Sequence, residues 1–312
     1  MPAAAPLPES LADGPFSIAA ARSAGVPASR LRRADLVRPW IGVRSTVAPH
    51  DLPSHAAAFA QRMRTGHVFA GVTAARLWGM PVASLWKPEE PLVVGVPAGT
   101  PRTRVTGVRT REFDPRRLGP TELDGLPILA PAATVMSLAR DTEHRDLVAL
   151  VDALVTPSRW YPDLRLPKRA YADIAALAAF ARRCRGLHGA AAFSAAVDDA
   201  RAGADSPQET RTRLVIVAAG LPEPVLQHPI RADGRRIAVV DLAYPHWRIA
   251  IEYEGEGHLK DPAQWAKDIR RYERLEALGW IVIRVTKSDL TGDAAALTQR
   301  VRAAVARRST AD

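Results

Sequence analysis

Residues 239–258 read VVDLAYPHWRIAIEYEGEGH, an apolar stretch suited to a buried sheet that nonetheless carries Asp241, Glu252 and Glu254. Folding it on a four-residue loop, 245–248, pairs Tyr244 with Ile249, Leu242 with Ile251, and Asp241 with Glu252. Neighbours on a strand point to opposite faces. One face therefore takes Ala238, Val240, Leu242, Ile249, Ile251 and Tyr253 and reads as core. The other takes Ile237, Val239, Asp241, Ala250, Glu252 and Glu254, so three carboxylates crowd one patch. Directly opposed Cβ atoms lie roughly 4.5 to 5.5 Å apart, where like charges repel. A bound cation, a raised carboxyl pKa or nearby basic side chains must offset that repulsion.

Working outward, SPQETRTRLVIVAAG (206–220) reads as a helix with Ser206 as N-cap, Pro207 and Glu209 in the first turn, and Gly220 as its stop. LQHPIRADG and RRIAVVD form a hairpin across 232–234. Beyond the acidic hairpin a helix over 262–278 stops at Gly279, WIVIRVT is a strand, and 293–308 is a closing helix. The predicted order for 205–312 is α, three antiparallel strands, α, β, α. On the helix over 262–278, Lys267, Arg270, Arg271 and Arg274 share one face through their i, i+3, i+4, i+7 spacing. Trp265, Ile269, Tyr272 and Leu275 form most of its apolar stripe. Such a basic stripe suits a phosphate backbone; the plain alternative is a solvated face partly neutralised by Asp268, Glu273 and Glu276.

The divalent metals of phosphate chemistry are hard cations, usually held by one or two carboxylates with water and substrate phosphate. Asp241 and Glu252 supply such a seat for Mg²⁺ or Mn²⁺, and the chemistry it implies is phosphodiester hydrolysis. Glu254, on the same face, is placed to reach a second ion. Glycoside hydrolysis would want carboxyls about 5 Å or more apart across a sugar, and nothing aromatic frames a sugar cleft here apart from Trp247 and Tyr253, of which Tyr253 faces the core.

The whole chain has 312 residues, 47% hydrophobic and 24% charged, the composition of a soluble globular protein with room for two or three domains. The start lacks a signal-peptide pattern and no 18-residue apolar run occurs, so a cytoplasmic protein with no membrane span is expected. The single cysteine, Cys184, excludes an internal disulfide and a cysteine-rich zinc site, and reads as an ordinary thiol. The net charge of +10 is spread as +3 over 1–50, +4 over 51–200 and +3 over 201–312, so it permits a polyanionic partner without selecting one.

At the front, FSIAAARSAGVPASRLRR (16–33) reads as helix, break at Gly25 and second helix, with Arg30, Arg32 and Arg33 on the second. LVRPWIGVRSTV follows as a wing would. This helix-turn-helix pattern makes those arginines candidate DNA contacts, although a helix pair with a glycine turn is also common in purely structural roles. Residues 51–155 mix helices (near 55–63, VFAGVTAARLWG, PAATVMSLA, HRDLVALVDAL) with strands (PLVVGVPAG, TRVTGVRTREF) and read as a connector or regulatory domain. A proline-rich linker and two Ala-rich helices separated near 186–189 fill 156–204. The fold class expected is α/β, an α+β multidomain chain: winged helix-turn-helix over 1–50, mixed middle, and a restriction-endonuclease-like domain over 205–312.

SPQET, VVDLAYP, IAIEYEGEGH and DIRRYERLEALGWIVIRV, in that order, resemble the very-short-patch-repair (Vsr)-like branch of the PD-(D/E)XK endonuclease superfamily, over about 205–290. The resemblance implies magnesium on Asp241 and Glu252, with an upstream helical glutamate, here Glu209, joining them. Glu254 stands where the wider superfamily has lysine; the Vsr-like branch commonly has an acid there and a histidine a few residues on, which His258 matches. His258 is then the candidate proton-transfer group, with Lys260 or Lys267 able to supply the missing cation and to contact nucleic acid. Residues 15–150 resemble, more loosely, the winged-helix antitoxins of abortive-infection type IV systems, which implies DNA as partner and a toxin or other protein as a further one. Two functions follow: a metal-dependent DNA endonuclease, or an antitoxin-type transcriptional regulator whose nuclease-like domain does not cut.

Overall fold

A computed structural model describes residues 5–101, 104–157, 161, 163–255, 262–292 and 294–310, and over 262–268 it describes the helical backbone but not the side chains. The chain is α+β and divides into two compact units, Met1–Arg140 with Arg183–Gly189, and Asp141–Arg182 with Ala190–Asp312. Among the described residues no helix is long and apolar enough to cross a membrane.

The first unit opens with α1 (Glu9–Ala12), β1 (Phe16–Ser17) and α2 (Ile18–Ser23). Ser17 caps α2, its hydroxyl accepting from Ala20 N at 3.0 Å. After Gly25, which takes a left-handed φ of 79°, the expected second helix shrinks to one 3-10 turn, Arg30–Arg32. The reason is packing: Val26, Leu31 and Leu36 join Leu11, Phe16 and Ala21 in a small core. Arg30 is drawn in with them, buried and bonded to both carboxylate oxygens of Asp35 (3.1 and 2.8 Å) and to Ala5 O (2.7 Å). Arg30 is thus a buried guanidinium paired with an exposed Asp35, a correction to its reading as a DNA contact. Arg32 stays exposed and Arg33 half-buried. The wing-like stretch contributes β2 (Val43–Arg44), which pairs with β1 for two residues.

Next come α3 (Leu52–Ala60), β3 (Val68–Phe69), α4 (Gly71–Leu77), β4 (Leu92–Pro97), β5 (Val108–Phe113), β6 (Pro120–Leu123), β7 (Leu126–Leu129) and α5 (Pro131–Leu138). The strands form a mixed five-stranded sheet in the order β5-β4-β3-β7-β6. The β6–β7 hairpin, unread in the sequence, turns on Asp124-Gly125, both at positive φ, as two-residue hairpin loops require.

The second unit contains α6 (His144–Val155), α7 (Ile174–Arg183), α8 (Ala190–Asp199), α9 (Pro207–Ala218), β8 (Val225–Ala232), β9 (Arg235–Tyr244), β10 (Ile249–Tyr253), α10 (Pro262–Ala277), β11 (Ile281–Val285) and α11 (Ala295–Ser309). From α9 onward this is the order expected. The helix α6, read in sequence with the middle segment, groups here because Asp152 is buried against α9, bonded to Thr210 Oγ1 (2.7 Å) and Arg213 (3.4 Å).

Sheet order is β11-β10-β9-β8. The hairpin pairs Tyr244 with Ile249, Ala243 with Ala250 and Leu242 with Ile251, as derived, but the paired residues stop there, short of the Asp241–Glu252 pair expected next. Strand β11 runs parallel to β10 after the α10 crossover, with Glu252 opposite Arg284. Leu242, Ile249, Ile251, Ile283 and Val285 pack with Val215 and Ile216 of α9 and Leu297 and Val301 of α11. Ala243, Ala250 and Leu275 form a second cluster with Ile230, joined by Ala238 and Val240, which strict alternation assigns to the first. Both faces of the sheet are therefore covered, and the acids sit where the second cover ends.

Candidate active site

Asp241, Glu252 and Glu254 line one open cleft of about 1290 Å³ together with Glu209 and Gln227. The sheet supplies the first three side chains. Glu209 comes from the first turn of α9, whose N-cap Ser206 accepts its backbone N–H at 3.2 Å. Gln227 comes from β8, beside the Leu226–Leu242 and His228–Val240 pairs.

The acids meet different partners. Glu252 is buried, and Arg271 donates to its Oε1 at 2.7 Å while also donating to Val239 O at 2.7 Å. Glu254 is held by Arg284, whose Nε and Nη2 donate one to each carboxylate oxygen, and by the Tyr272 hydroxyl at 3.1 Å. Asp241 accepts the Tyr253 N–H at 2.8 Å. Glu209, 5% exposed, accepts from Asp205 N and Gln227 Nε2, each at 2.9 Å. Burial first and the Asp241 charge second push its carboxyl up to about 8, against the lowering by those hydrogen bonds. Gln227 reaches it from a left-handed backbone conformation, φ 46°, a strained choice for a residue with a Cβ. Burial, with Glu252 and Glu254 nearby, raises the Tyr272 phenol well above its usual range, so it remains a donor.

The repulsion inferred from the sequence is thus met by two devices. Basic side chains take Glu252 and Glu254, and a raised pKa takes Glu209. Arg271 is a positioning residue here rather than a ready phosphate contact, and Arg284, in the middle of an apolar strand, was overlooked in the sequence. Among the described residues no set of three or more His, Cys, Asp or Glu is close enough to hold a metal. Glu254 does not fit as a ligand, because Arg284 occupies it. Asp241 and Glu209 do fit a hard cation: burial and the Asp241 charge raise the proton affinity of Glu209, and among the described residues no Lys or Arg forms an ion pair with Glu209. Glu252 is available once Arg271 yields it. His258 and Lys260 lie outside the described residues, as does the Lys267 side chain. Arg270 and Arg274 are exposed on α10. Cys184 is buried, and burial raises its thiol pKa despite Arg183 and Arg117 nearby.

No protein-family model matches the chain. It is 30% identical over 274 residues to "Uncharacterized protein Rv2248" of Mycobacterium tuberculosis (strain ATCC 25618 / H37Rv), a span of 87% of this chain and 93% of that protein. The same identity and coverage hold for "Uncharacterized protein MT2308" of Mycobacterium tuberculosis (strain CDC 1551 / Oshkosh). The chain belongs to the family of these two proteins. Among solved structures it is similar to "Crystal structure of RV2827C protein from Mycobacterium tuberculosis", with 17% identity, a TM-score of 0.38, and coverage of 71% of this chain and 84% of that one.

Proposed function

We propose that the protein is a metal-dependent nucleic-acid phosphodiester hydrolase, a DNA endonuclease of the PD-(D/E)XK type whose N-terminal segment assists DNA binding. The observation that carries the reading is the Glu209–Asp241 pair in the cleft, where a buried carboxyl is pushed to about 8 beside a second acid. A divalent cation there, Mg²⁺ or Mn²⁺, supplies Lewis-acid activation of a phosphoryl oxygen. Asp241 and Glu209 would hold it, Glu252 would be a further ligand where Arg271 is not bonded to it, and Arg271 would then be available to a substrate phosphate. Gln227 and Asp205 N orient Glu209, while Arg284 and Tyr272 fix Glu254 at the cleft wall. His258 remains the proposed proton-transfer group, histidine being the side chain suited to that work near neutral pH.

A second reading is favoured by one observation: Arg271 and Arg284 neutralise two of the three acids without any metal. That arrangement suits an antitoxin-type DNA-binding regulator whose nuclease-like domain binds and does not cut. Incubating purified protein with Mg²⁺ or Mn²⁺ and single-stranded, duplex and mismatched DNA and RNA separates the two. Metal-dependent cleavage supports the first reading, and binding without cleavage the second.

A further inference from the structure

The β8–β9 hairpin places Arg231 directly opposite Arg236, and Ala232 opposite Arg235. Like charges directly opposed across a sheet are destabilising, so the pair calls for an explanation. A register shift creates it. Ile230 pairs with Ala238 but Arg231 pairs with Arg236, which leaves Ile237 as an extra residue in β9. Bulges of this kind re-aim side chains. Arg236 lines the acidic cleft with Ala238, Val239 and Asp241. Ile237 lines a second, smaller pocket of about 230 Å³ with Arg270, Arg271 and Arg274. Arg271 borders both pockets and connects them.

Arg231, Arg235, Arg236, Arg270 and Arg274 are all exposed. Among the described residues their side chains make no ion pair or hydrogen bond. The fold therefore concentrates guanidinium groups beside an acidic cleft, and among the described residues none of these five is paired with an acid. We propose that this hairpin–helix surface binds the sugar-phosphate backbone of a nucleic acid leading into the cleft, with Arg231 and Arg236 contacting phosphates from the hairpin and Arg270 and Arg274 from the helix. The planar guanidinium fork suits phosphate. A polymer is favoured over a free anion because Arg236 borders one pocket and Arg270 and Arg274 the other, rather than converging on one point. The proposal rests on the nucleic-acid half of the reading above and not on its hydrolytic half.

The test uses the full chain carrying Asp241→Asn, with and without Arg231→Ser and Arg236→Ser, and a fluorescently labelled 20-base-pair DNA duplex titrated at several salt concentrations. Two lost phosphate contacts should reduce the slope of log affinity against log salt by about 1.8. Arg231→Lys with Arg236→Lys should restore it. A charge-matched control, Arg116→Ser with Arg307→Ser, should leave it unchanged. An unchanged slope in the hairpin variant, an equal loss in the control, or no duplex binding by the parent would each overturn the proposal. Cleavage by the chain with Asp241 intact is read separately: binding with the expected slope but without cutting removes the hydrolase and leaves this surface standing.

Discussion

Glu209 is a buried carboxylate held next to a second acid, and that placement has a measurable signature. Its ordinary value is 4.5 and its folded value about 8. Between those values the folded state keeps a proton that the unfolded chain has released, so raising the pH through this window lowers stability. Thermal melts of metal-free protein should fall from pH 5 to pH 8.5, and Glu209→Gln should flatten the decline and melt higher than the parent at pH 8.5. Added Mn²⁺ should lift the parent's melting temperature more at pH 8 than at pH 6, because the proton must leave first. A parent whose melting temperature rises with pH over this window would show that Glu209 is not the strained group. The acids themselves were legible in the sequence because a two-residue period and an unambiguous turn fix which face each occupies. Their partners were not: Arg284 lies 30 residues from Glu254, Gln227 lies 18 from Glu209, and local patterning carries no information about such meetings.

The acidic hairpin follows its reading from Leu242–Ile251 to the turn, because one slip of a residue would turn Leu242, Ile249 and Ile251 away from α9 and α11; nearer the acids strict alternation fails, and Ala238 and Val240 join the other cluster. Ile251, fully buried between β9 and β11, anchors it. Ile251→Ala should destabilise the chain by about 2 to 5 kcal/mol, read by urea denaturation; a loss under about 1 kcal/mol would mean that the site can collapse. The second N-terminal helix shows the opposite case. Its glycine break and basic residues are real, but Pro27 and the pull of Val26, Leu31 and Leu36 into a small core leave one 3-10 turn. Tertiary packing outweighs a helical pattern that short. The β6–β7 hairpin was legible through Asp124-Gly125 and went unread.

At the scale of the molecule, the compact unit that holds the acidic cleft begins at Asp141, further upstream than its motifs suggest. Asp152 of α6 is fully buried, and burial pushes its carboxyl up to about 6 despite Arg213, Thr210 and the Arg201 N–H holding the charged form. Arg213, equally buried, depends on Asp152 and Glu223 for its counter-charge. A fragment starting at residue 205 leaves Arg213 short of a buried partner, and breaking such a pair by removing one side costs about 3 to 5 kcal/mol. Residues 205–312 alone should be digested quickly by protease, whereas 141–312 should resist. Equal resistance would restore the shorter boundary.

Whether the Asp241 cleft cuts nucleic acid with a divalent cation, as proposed, is tested by a single comparison. Parent, Asp241→Asn and Glu252→Gln are given the same labelled DNA and RNA panel with Mg²⁺, Mn²⁺ or EDTA, and the initial cleavage rate is measured. The account predicts cleavage by the parent that EDTA abolishes and either substitution removes, while both variants remain folded and still bind the substrate. Cleavage that persists in Asp241→Asn, or a folded parent that binds the panel and cuts none of it with either metal, would contradict the account.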